Sequence, residues 1–208
     1  MRPWVFAILC CAATLGCNRS ETPPKEPTPK TAEKTAAQDS ASPPIAQDAV
    51  QLKILDFAGL ERLVASKRGQ VVVVDAWSTS CPPCVAEFPR LVALDRKYAA
   101  QGLACISLSM DFGGTGKPED AAPPVLDFLR KQGATFENVL SAEDPDAMFN
   151  KLELASPPAV LVYDRQGKLR EHMEEAADGA GKKPLYDRVE ILVQKLLAAS
   201  TPTESPKR

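Results

Sequence analysis

The chain has 208 residues, with 25 basic and 27 acidic side chains that give a formal net charge of −2. This length allows one ordinary domain together with additional segments. The near-neutral charge supplies neither a basic patch for nucleic acid nor an acidic block for a polycation, and no nucleic-acid partner is expected.

Residues 1–17, MRPWVFAILCCAATLGC, have the features of a signal peptide. Arg2 is followed by an uncharged run that is too short to span a bilayer as a helix. The run ends in Leu15-Gly16-Cys17, which resembles a bacterial lipobox, although Thr14 stands where lipoboxes prefer Leu. We therefore expect export and lipidation of Cys17. Ordinary signal-peptidase cleavage and an uncleaved anchor stay open as alternatives, and the choice between inner and outer membrane is also open.

Residues 18–50 change abruptly in composition, with six prolines, many Thr, Ser, Lys and Glu, and no aromatic residue. A segment of this kind cannot bury enough apolar surface to offset the entropy lost on ordering. We predict a disordered tether there and a shorter flexible tail at residues 200–208. One domain is predicted between them, over residues 51–199.

The predicted domain begins with a strand in QLKILDF and a helix in AGLERLVASKR. The run VVVVDAW, Val71 to Trp77, is typical of a central strand that is covered on both faces. A helix from about residue 82 to 100 follows, and its apolar positions predict a buried side: Phe88, Leu91, Val92, Leu94 and Tyr98.

The second half of the domain continues the alternation of strands and helices. It predicts a strand in GLACISLSM, a helix over 123–132, a short strand in ATFENVL before an acidic turn, a hairpin in PAVLVYDRQGKLREHM and a closing helix in LYDRVEILVQKLLAA. Strands that alternate with helices predict an α/β fold with helices on both faces of the sheet.

Six cysteines are present, and three of them lie in the predicted signal. The domain keeps Cys81, Cys84 and Cys105, and the last lies mid-strand among apolar residues as an expected core residue. A Cys-x-x-Cys pair directly after a buried strand and at the start of a helix is a redox signature. The partial positive charge of the helix N-terminus stabilises a thiolate on the first Cys, and the second Cys can resolve a mixed disulfide.

Two other interpretations of the pair are weaker. A loop of this length gains little stability from chain closure. A closed zinc site needs four ligands, whereas the chain has one His, His172, which is expected at the surface. No metal and no cofactor are predicted.

Taken together, these motifs resemble the thioredoxin fold, and specifically the exported TlpA-type thiol-disulfide oxidoreductases. The resemblance covers about residues 52–197. It rests on Asp75 and Trp77 before the couple, on CPPCVAEFP, which is similar to the family's C-x-x-C-x-x-E-x-P, and on LASPPAVLVYDRQGKL, which is similar to the family's segment of a cis-proline, a strand and an acidic-Gly turn. The insert at about 111–152 matches the extra helix and strand of this branch.

The resemblance implies roles for individual residues. Cys81 would attack a substrate disulfide, Cys84 would resolve the mixed disulfide, and Asp75 would carry the Cys84 proton. The remaining residues implied are Pro82, Pro83 and Glu87, which would tune the couple, and Trp77, Ser80, Pro157 and the cis-proline Pro158, which would contact substrate.

The chain departs from the family at two positions. Ser80 stands where most relatives have Trp before the first Cys, so an aromatic contact surface is missing. Pro157 precedes the predicted cis-proline, where relatives pair their backbone with substrate, and proline has no N–H to donate. We therefore expect weaker or less sequence-tolerant peptide binding than in a general thioredoxin.

The resulting hypothesis is an exported, lipid-tethered enzyme on the periplasmic side of the cell envelope, or a secreted periplasmic one if Cys17 is not lipidated. It would act as a monomer on protein thiols and disulfides, together with a membrane redox protein as electron donor or acceptor. Reduction of protein disulfides, as in cytochrome c maturation or metallochaperone reduction, is the preferred direction. An oxidase or isomerase of the same fold, or a Cu(I)-binding metallochaperone, is the alternative.

Overall fold

The computed structural model describes residues 49–175 and 183–199. The predicted signal peptide, nearly all of the predicted tether and the predicted tail lie outside these residues. Val50, the last residue of the predicted tether, is buried against the core. Within the described ranges, no helix is both long enough and apolar enough to cross a membrane.

Six strands and five α-helices alternate along the described chain. In order they are β1 Lys53–Leu55, α1 Phe57–Ser66, β2 Val71–Trp77, α2 Pro82–Tyr98, β3 Leu103–Ser109, α3 Pro118–Gln132, β4 Glu137–Ser141, α4 Pro145–Leu152, β5 Ala159–Tyr163, β6 Leu169–Glu174 and α5 Leu185–Ala198.

The strands form one mixed sheet in the order β1-β4-β3-β2-β5-β6. The first four strands in that order are parallel, because helices connect them. β5 runs antiparallel to β2, and β6 runs antiparallel to β5. The carboxyl end of β2 and the amino end of β5 therefore meet at one edge of the sheet, where Ala76 pairs with Ala159.

Helices cover both faces of this sheet, as the α/β prediction requires. Residues of α2, α3 and α5 pack in one core cluster, and residues of α1 and α4 pack in the other. Every residue of β2 is buried, which confirms the prediction of a central strand. The predicted buried side of α2 is confirmed at all five of its positions.

The predicted hairpin is also confirmed. Its turn is held by the Asp164 carboxylate, which accepts hydrogen bonds from the backbone N–H groups of Gln166 and Lys168, each at 3.0 Å. Gly167 has φ +78°, a conformation that glycine adopts without a Cβ clash.

Two details of the insert were predicted incorrectly. α3 begins at Pro118 and not at Pro123, because Pro118 occupies the first helical position and the Asp120 carboxylate accepts from the Lys117 N–H at 3.2 Å. α4 was not predicted, although its start carries a recognisable signal. Asp144 caps it by accepting from the Ala147 N–H at 3.1 Å, and Pro145 follows at the first position.

Candidate active site

Cys81 and Cys84 form a disulfide at the N-terminus of α2, with their Cα atoms 5.3 Å apart. Cys81 is the N-cap residue, and its Sγ accepts a hydrogen bond from the Cys84 N–H at 3.3 Å. Pro82 and Pro83 occupy the first two helical positions, where no N–H is needed. Cys81 is partly exposed and Cys84 is buried, so the first sulfur is the one that a partner can reach.

Asp75 lies beneath this helix, in the middle of β2. Side chains alternate along a strand, so Asp75 points to the same side of the sheet as Val73 and Trp77. Those two residues pack in the core cluster that also contains Cys84. The Asp75 carboxyl is therefore buried on the side of the sheet that carries the couple.

Burial raises the pKa of Asp75 to about 7, because the charged carboxylate loses its hydration there. The nearby Tyr186 hydroxyl of α5 lowers the pKa, and the negative charge of Glu87 raises it. The buried Tyr186 hydroxyl makes no hydrogen bond of standard geometry with any residue that the structure describes. A carboxyl with a pKa near neutrality can both accept and return a proton.

Glu87 is half-buried on α2, and its Oε2 atom is buried without a hydrogen-bond partner among residues 49–175 and 183–199. The nearest cation in the described part of the chain is Arg90, whose Nη1 lies 3.9 Å from Oε2. Arg90 itself makes its short contact with Asp187 of α5. Glu87 therefore keeps much of its negative charge unneutralised near Asp75.

The predicted cis-proline is found at its predicted position, since the Pro157–Pro158 peptide bond is cis. Pro158 is buried, and Pro157 is half-buried at the start of β5. The register of β2 with β5 places this pair at the same edge of the sheet as the loop that leads to Cys81. Ser80, the predicted substrate contact on that loop, is exposed.

The predicted substrate contact at Trp77 is wrong. Its side chain has no exposed surface, and its ring packs 4.8 Å from that of Phe88 and 4.7 Å from that of Phe128. The continuous burial of β2 explains this position, because both faces of the strand are covered by helices.

Sequence reasoning missed a group of polar contacts beside the couple. The carboxylate of Asp111, after β3, accepts hydrogen bonds from the loop between β2 and Cys81, including the Thr79 N–H at 3.0 Å. Sequence reasoning also missed Tyr186, whose hydroxyl lies near Asp75. Parallel pairing of β2 with β3 is the signal that could have located Asp111, because the ends of neighbouring parallel strands lie together.

The remaining predictions concern groups away from the couple. Cys105 is a free, buried thiol, as expected of a core residue, and burial raises its pKa well above the ordinary value. His172 lies half-buried on β6. In the part of the chain that the structure describes, no cluster of three or more His, Cys, Asp or Glu side chains could hold a metal ion.

Comparison with known proteins places the chain among thiol-disulfide oxidoreductases. It is 25% identical over 139 residues to the thiol-disulfide oxidoreductase ResA of Geobacillus kaustophilus, which covers 67% of this chain and 71% of ResA. It is 26% identical over 129 residues to the thiol:disulfide interchange protein DsbE of Haemophilus influenzae, which covers 59% of this chain and 63% of DsbE.

A solved structure of a thioredoxin-like superfamily protein matches with a TM-score of 0.51 and 21% identity, over 67% of this chain and 87% of that chain. This likeness confirms the thioredoxin-like fold. The model of the AhpC/TSA family matches residues 45–172, which is more than half of the chain. The chain therefore belongs to the AhpC/TSA family and is a thioredoxin-fold thiol-disulfide oxidoreductase.

Proposed function

We propose that this protein reduces disulfides in other exported proteins with the Cys81–Cys84 couple, while a lipid on Cys17 holds it at the membrane. One observation carries the proposal. Cys81 caps the N-terminus of α2 with a partly exposed sulfur, while Asp75, whose pKa is about 7, is buried on the same side of the sheet.

The reduced couple would act in two steps. The Cys81 thiolate attacks one sulfur of the substrate disulfide, and the other substrate sulfur leaves as a thiolate that takes up a proton. Cys84 then attacks the Cys81 sulfur, which breaks the mixed disulfide and releases the second substrate thiol. Two electrons pass from the protein to the substrate, and the protein ends in the disulfide form that the structure contains.

Asp75 would manage the proton of the second step. Cys84 is buried, so water does not readily remove its thiol proton. An ionised Asp75 would accept that proton as Cys84 attacks, and would return it when the disulfide is reduced again. A pKa of about 7 suits both directions, because the proton-transfer driving force is small near the working pH.

The membrane side of the proposal is supported by the sequence. Arg2, the short apolar run and the Leu-Gly-Cys end at Cys17 favour export and lipidation. An electron-donor redox protein in the membrane would regenerate the dithiol. Replacement of Cys17 by Ser should move the protein from the membrane fraction to the soluble fraction. An unchanged membrane fraction would exclude the lipid anchor.

A trapping experiment tests the function directly. Cys84→Ser leaves Cys81 able to attack but removes the resolving thiol, so partners should stay disulfide-linked to Cys81. Cys81→Ser is the matched control and should capture none. Apocytochromes or metallochaperones among the trapped proteins are the expected result. If no partner is trapped and the wild-type protein binds Cu(I) tightly, the protein is a metallochaperone and the proposal is wrong.

Pro157 should limit how tightly an extended substrate segment binds. Its backbone lacks the N–H that could pair with a substrate carbonyl. Replacement by Thr supplies one donor, and one hydrogen bond contributes about 0.5–1.5 kcal/mol, so turnover on protein disulfides should rise between about twofold and tenfold. Ser156→Ala, one residue earlier on the exposed loop, is the control. Unchanged turnover of the Pro157 variant would contradict this role.

A further inference from the structure

The carboxylate of Asp111 collects hydrogen bonds from the loop that leads to Cys81. Its donors are the Ser78 hydroxyl at 3.0 Å, the Thr79 N–H at 3.0 Å and 3.2 Å, the Thr79 hydroxyl at 2.5 Å and the Ser109 hydroxyl at 2.6 Å. An ionised carboxylate offers only acceptors, and all of its partners here are donors. Hydrogen bonds to a charged acceptor are about twice as strong as neutral ones.

The sheet puts Asp111 at this place. Trp77 and Ser109 are paired at the ends of the parallel strands β2 and β3, and the Met110 N–H donates to the Trp77 carbonyl at 2.8 Å. The chain leaving β3 therefore runs directly beside the chain leaving β2. Asp111 and the Ser78–Ser80 loop are brought together by the strand register.

These contacts determine which hydroxyl is the donor in each hydrogen bond. Ser78 has one hydroxyl proton, and it is donated to Asp111. In the 2.9 Å contact between the hydroxyls of Ser78 and Ser80, the donor must then be Ser80. The Ser80 N–H also donates to the Ser78 oxygen at 3.2 Å. All three loop residues are thus fixed, directly or through one hydroxyl, by a single carboxylate.

The loop in turn holds the nucleophile. The Cys81 N–H donates to the Ser78 carbonyl at 3.1 Å, which closes the turn Ser78–Cys81. Cys81 also occupies the N-cap position, where its sulfur accepts a hydrogen bond from the Cys84 N–H. A shift of the turn would therefore change the distance and direction between the two sulfurs.

We propose that Asp111 is a positioning residue for the redox couple, which fixes the Ser78–Ser80 loop and thereby holds Cys81 at the N-cap of α2 in line with Cys84. The biological use of this role rests on the proposed function. The role itself can be tested without it, because the geometry of the couple can be measured with glutathione alone. In that exchange the protein disulfide and two glutathione thiols give the protein dithiol and one glutathione disulfide, so atoms and electrons balance.

The main test variant is Asp111→Asn. An amide keeps one acceptor oxygen, removes the charge and places an N–H donor where Oδ2 accepted from the Thr79 N–H and the Ser109 hydroxyl, so the anchor of the loop is weakened. The equilibrium constant for forming the Cys81–Cys84 disulfide from glutathione disulfide should fall about tenfold, since it depends on the effective concentration of one thiol at the other. The high-pH limiting rate at which Cys84 closes the mixed disulfide of Cys81 with glutathione should fall similarly. Thr79→Val, which keeps the charge and removes one donor, should give a smaller change in the same direction.

Asp56→Ala is the matched control. Asp56 caps α1 by accepting from the Gly59 N–H at 2.7 Å, on an element that packs on the opposite face of the sheet. Loss of an N-cap typically costs about 1 kcal/mol of stability. This variant should therefore lose stability while both glutathione constants stay at the wild-type values.

Two results would overturn the proposal. If Asp111→Asn lowers the pKa of the Cys81 thiol but leaves the limiting rate and the equilibrium constant unchanged, Asp111 acts only through its charge. If it loses stability as Asp56→Ala does, with unchanged constants, its role is only structural. If the wild-type protein exchanges with glutathione but its Cys84→Ser variant traps no protein partner, the proposed function is contradicted while the Asp111 measurements stay valid.

Discussion

The two faces of β2 are equally buried and yet differ in chemistry. One set of side chains points toward α1 and α4: Val72, Val74 and Ala76. The other points toward α2, α3 and α5: Val71, Val73, Asp75 and Trp77. Every buried member of the α1/α4 cluster is an aliphatic residue, alanine or methionine. The opposite face accommodates a carboxyl, a free thiol and a phenol.

The titratable groups on the α2 face influence one another. Burial raises the pKa values of Tyr186 and Cys105 well above their ordinary values, and Asp75 raises both further by repulsion. Negative charge anywhere in this group therefore makes a second charge harder to form. One face of β2 carries only apolar side chains, while the other carries a carboxyl that can exchange a proton near neutral pH.

A carboxyl transferred to the apolar face should give the largest effect. In Val74→Asp the new carboxyl would replace a fully buried side chain of the apolar α1/α4 cluster. We expect a loss of about 4 kcal/mol or more in the free energy of unfolding at pH 7. Urea unfolding measures it, and Val74→Ala separates the cavity from the carboxyl. Equal losses in the two variants would show that the faces do not differ in tolerance for charge.

Replacement of Asp75 by Asn should stabilise the oxidised protein at high pH. Folded Asp75 keeps its proton up to a pKa of about 7, whereas the unfolded carboxyl loses it near 4, so the folded state binds more protons between these values. The free energy of unfolding should therefore fall as pH rises from about 4 to 7. Asp75→Asn should lack this fall and be roughly 2–4 kcal/mol more stable than wild type at pH 8.

Unfolding free energies of both proteins at pH 4, 6 and 8 provide the check. Asp144→Asn, at the cap of α4, is the control and should keep the wild-type pH dependence. Parallel curves for wild type and Asp75→Asn would mean that Asp75 titrates normally. The same variant, once reduced, should also resolve mixed disulfides more slowly if Asp75 carries the Cys84 proton.

The smallest expected effect is that of Tyr186→Phe. The hydroxyl lowers the pKa of Asp75, so its removal should move the Asp75 titration midpoint upward. Stability should change by about 0.5 kcal/mol or less, because the hydroxyl makes no standard hydrogen bond to a described residue that would be lost. Tyr98→Phe, whose hydroxyl donates to Glu190, should leave the midpoint in place. An unchanged Asp75 midpoint in Tyr186→Phe would show that the Tyr186 hydroxyl does not influence the titration of Asp75.

Local patterns in the sequence were sufficient for the fold and for part of the site. The β-branched run of β2 and the Cys-Pro-Pro-Cys start of α2 depend on neighbouring residues, whereas the cis bond at Pro158 was implied by the resemblance to the TlpA-type family. Each of these three predictions is confirmed. The roles of Cys81, Cys84 and Asp75 stay predictions.

What the sequence did not reveal depends on long-range packing. Tyr186 reaches Asp75 because α5 packs against α2 and the sheet, which no local pattern encodes. Asp111 reaches Thr79 because β2 and β3 end together, although 32 residues separate the two in the chain. The burial of Trp77 also reflects its distant neighbour Phe128.

The hydrogen bonds at the start of α2 affect whether this helix N-terminus can bind anions from the buffer. A helix N-terminus ordinarily attracts phosphate or sulfate, because its first N–H groups are free. Here Pro82 and Pro83 have no N–H, the Cys84 N–H faces the Cys81 sulfur, and the Cys81 N–H is donated to Ser78. These backbone N–H groups are therefore not available to an anion from solution. The glutathione equilibrium constant should therefore be the same in phosphate as in chloride buffer of equal ionic strength.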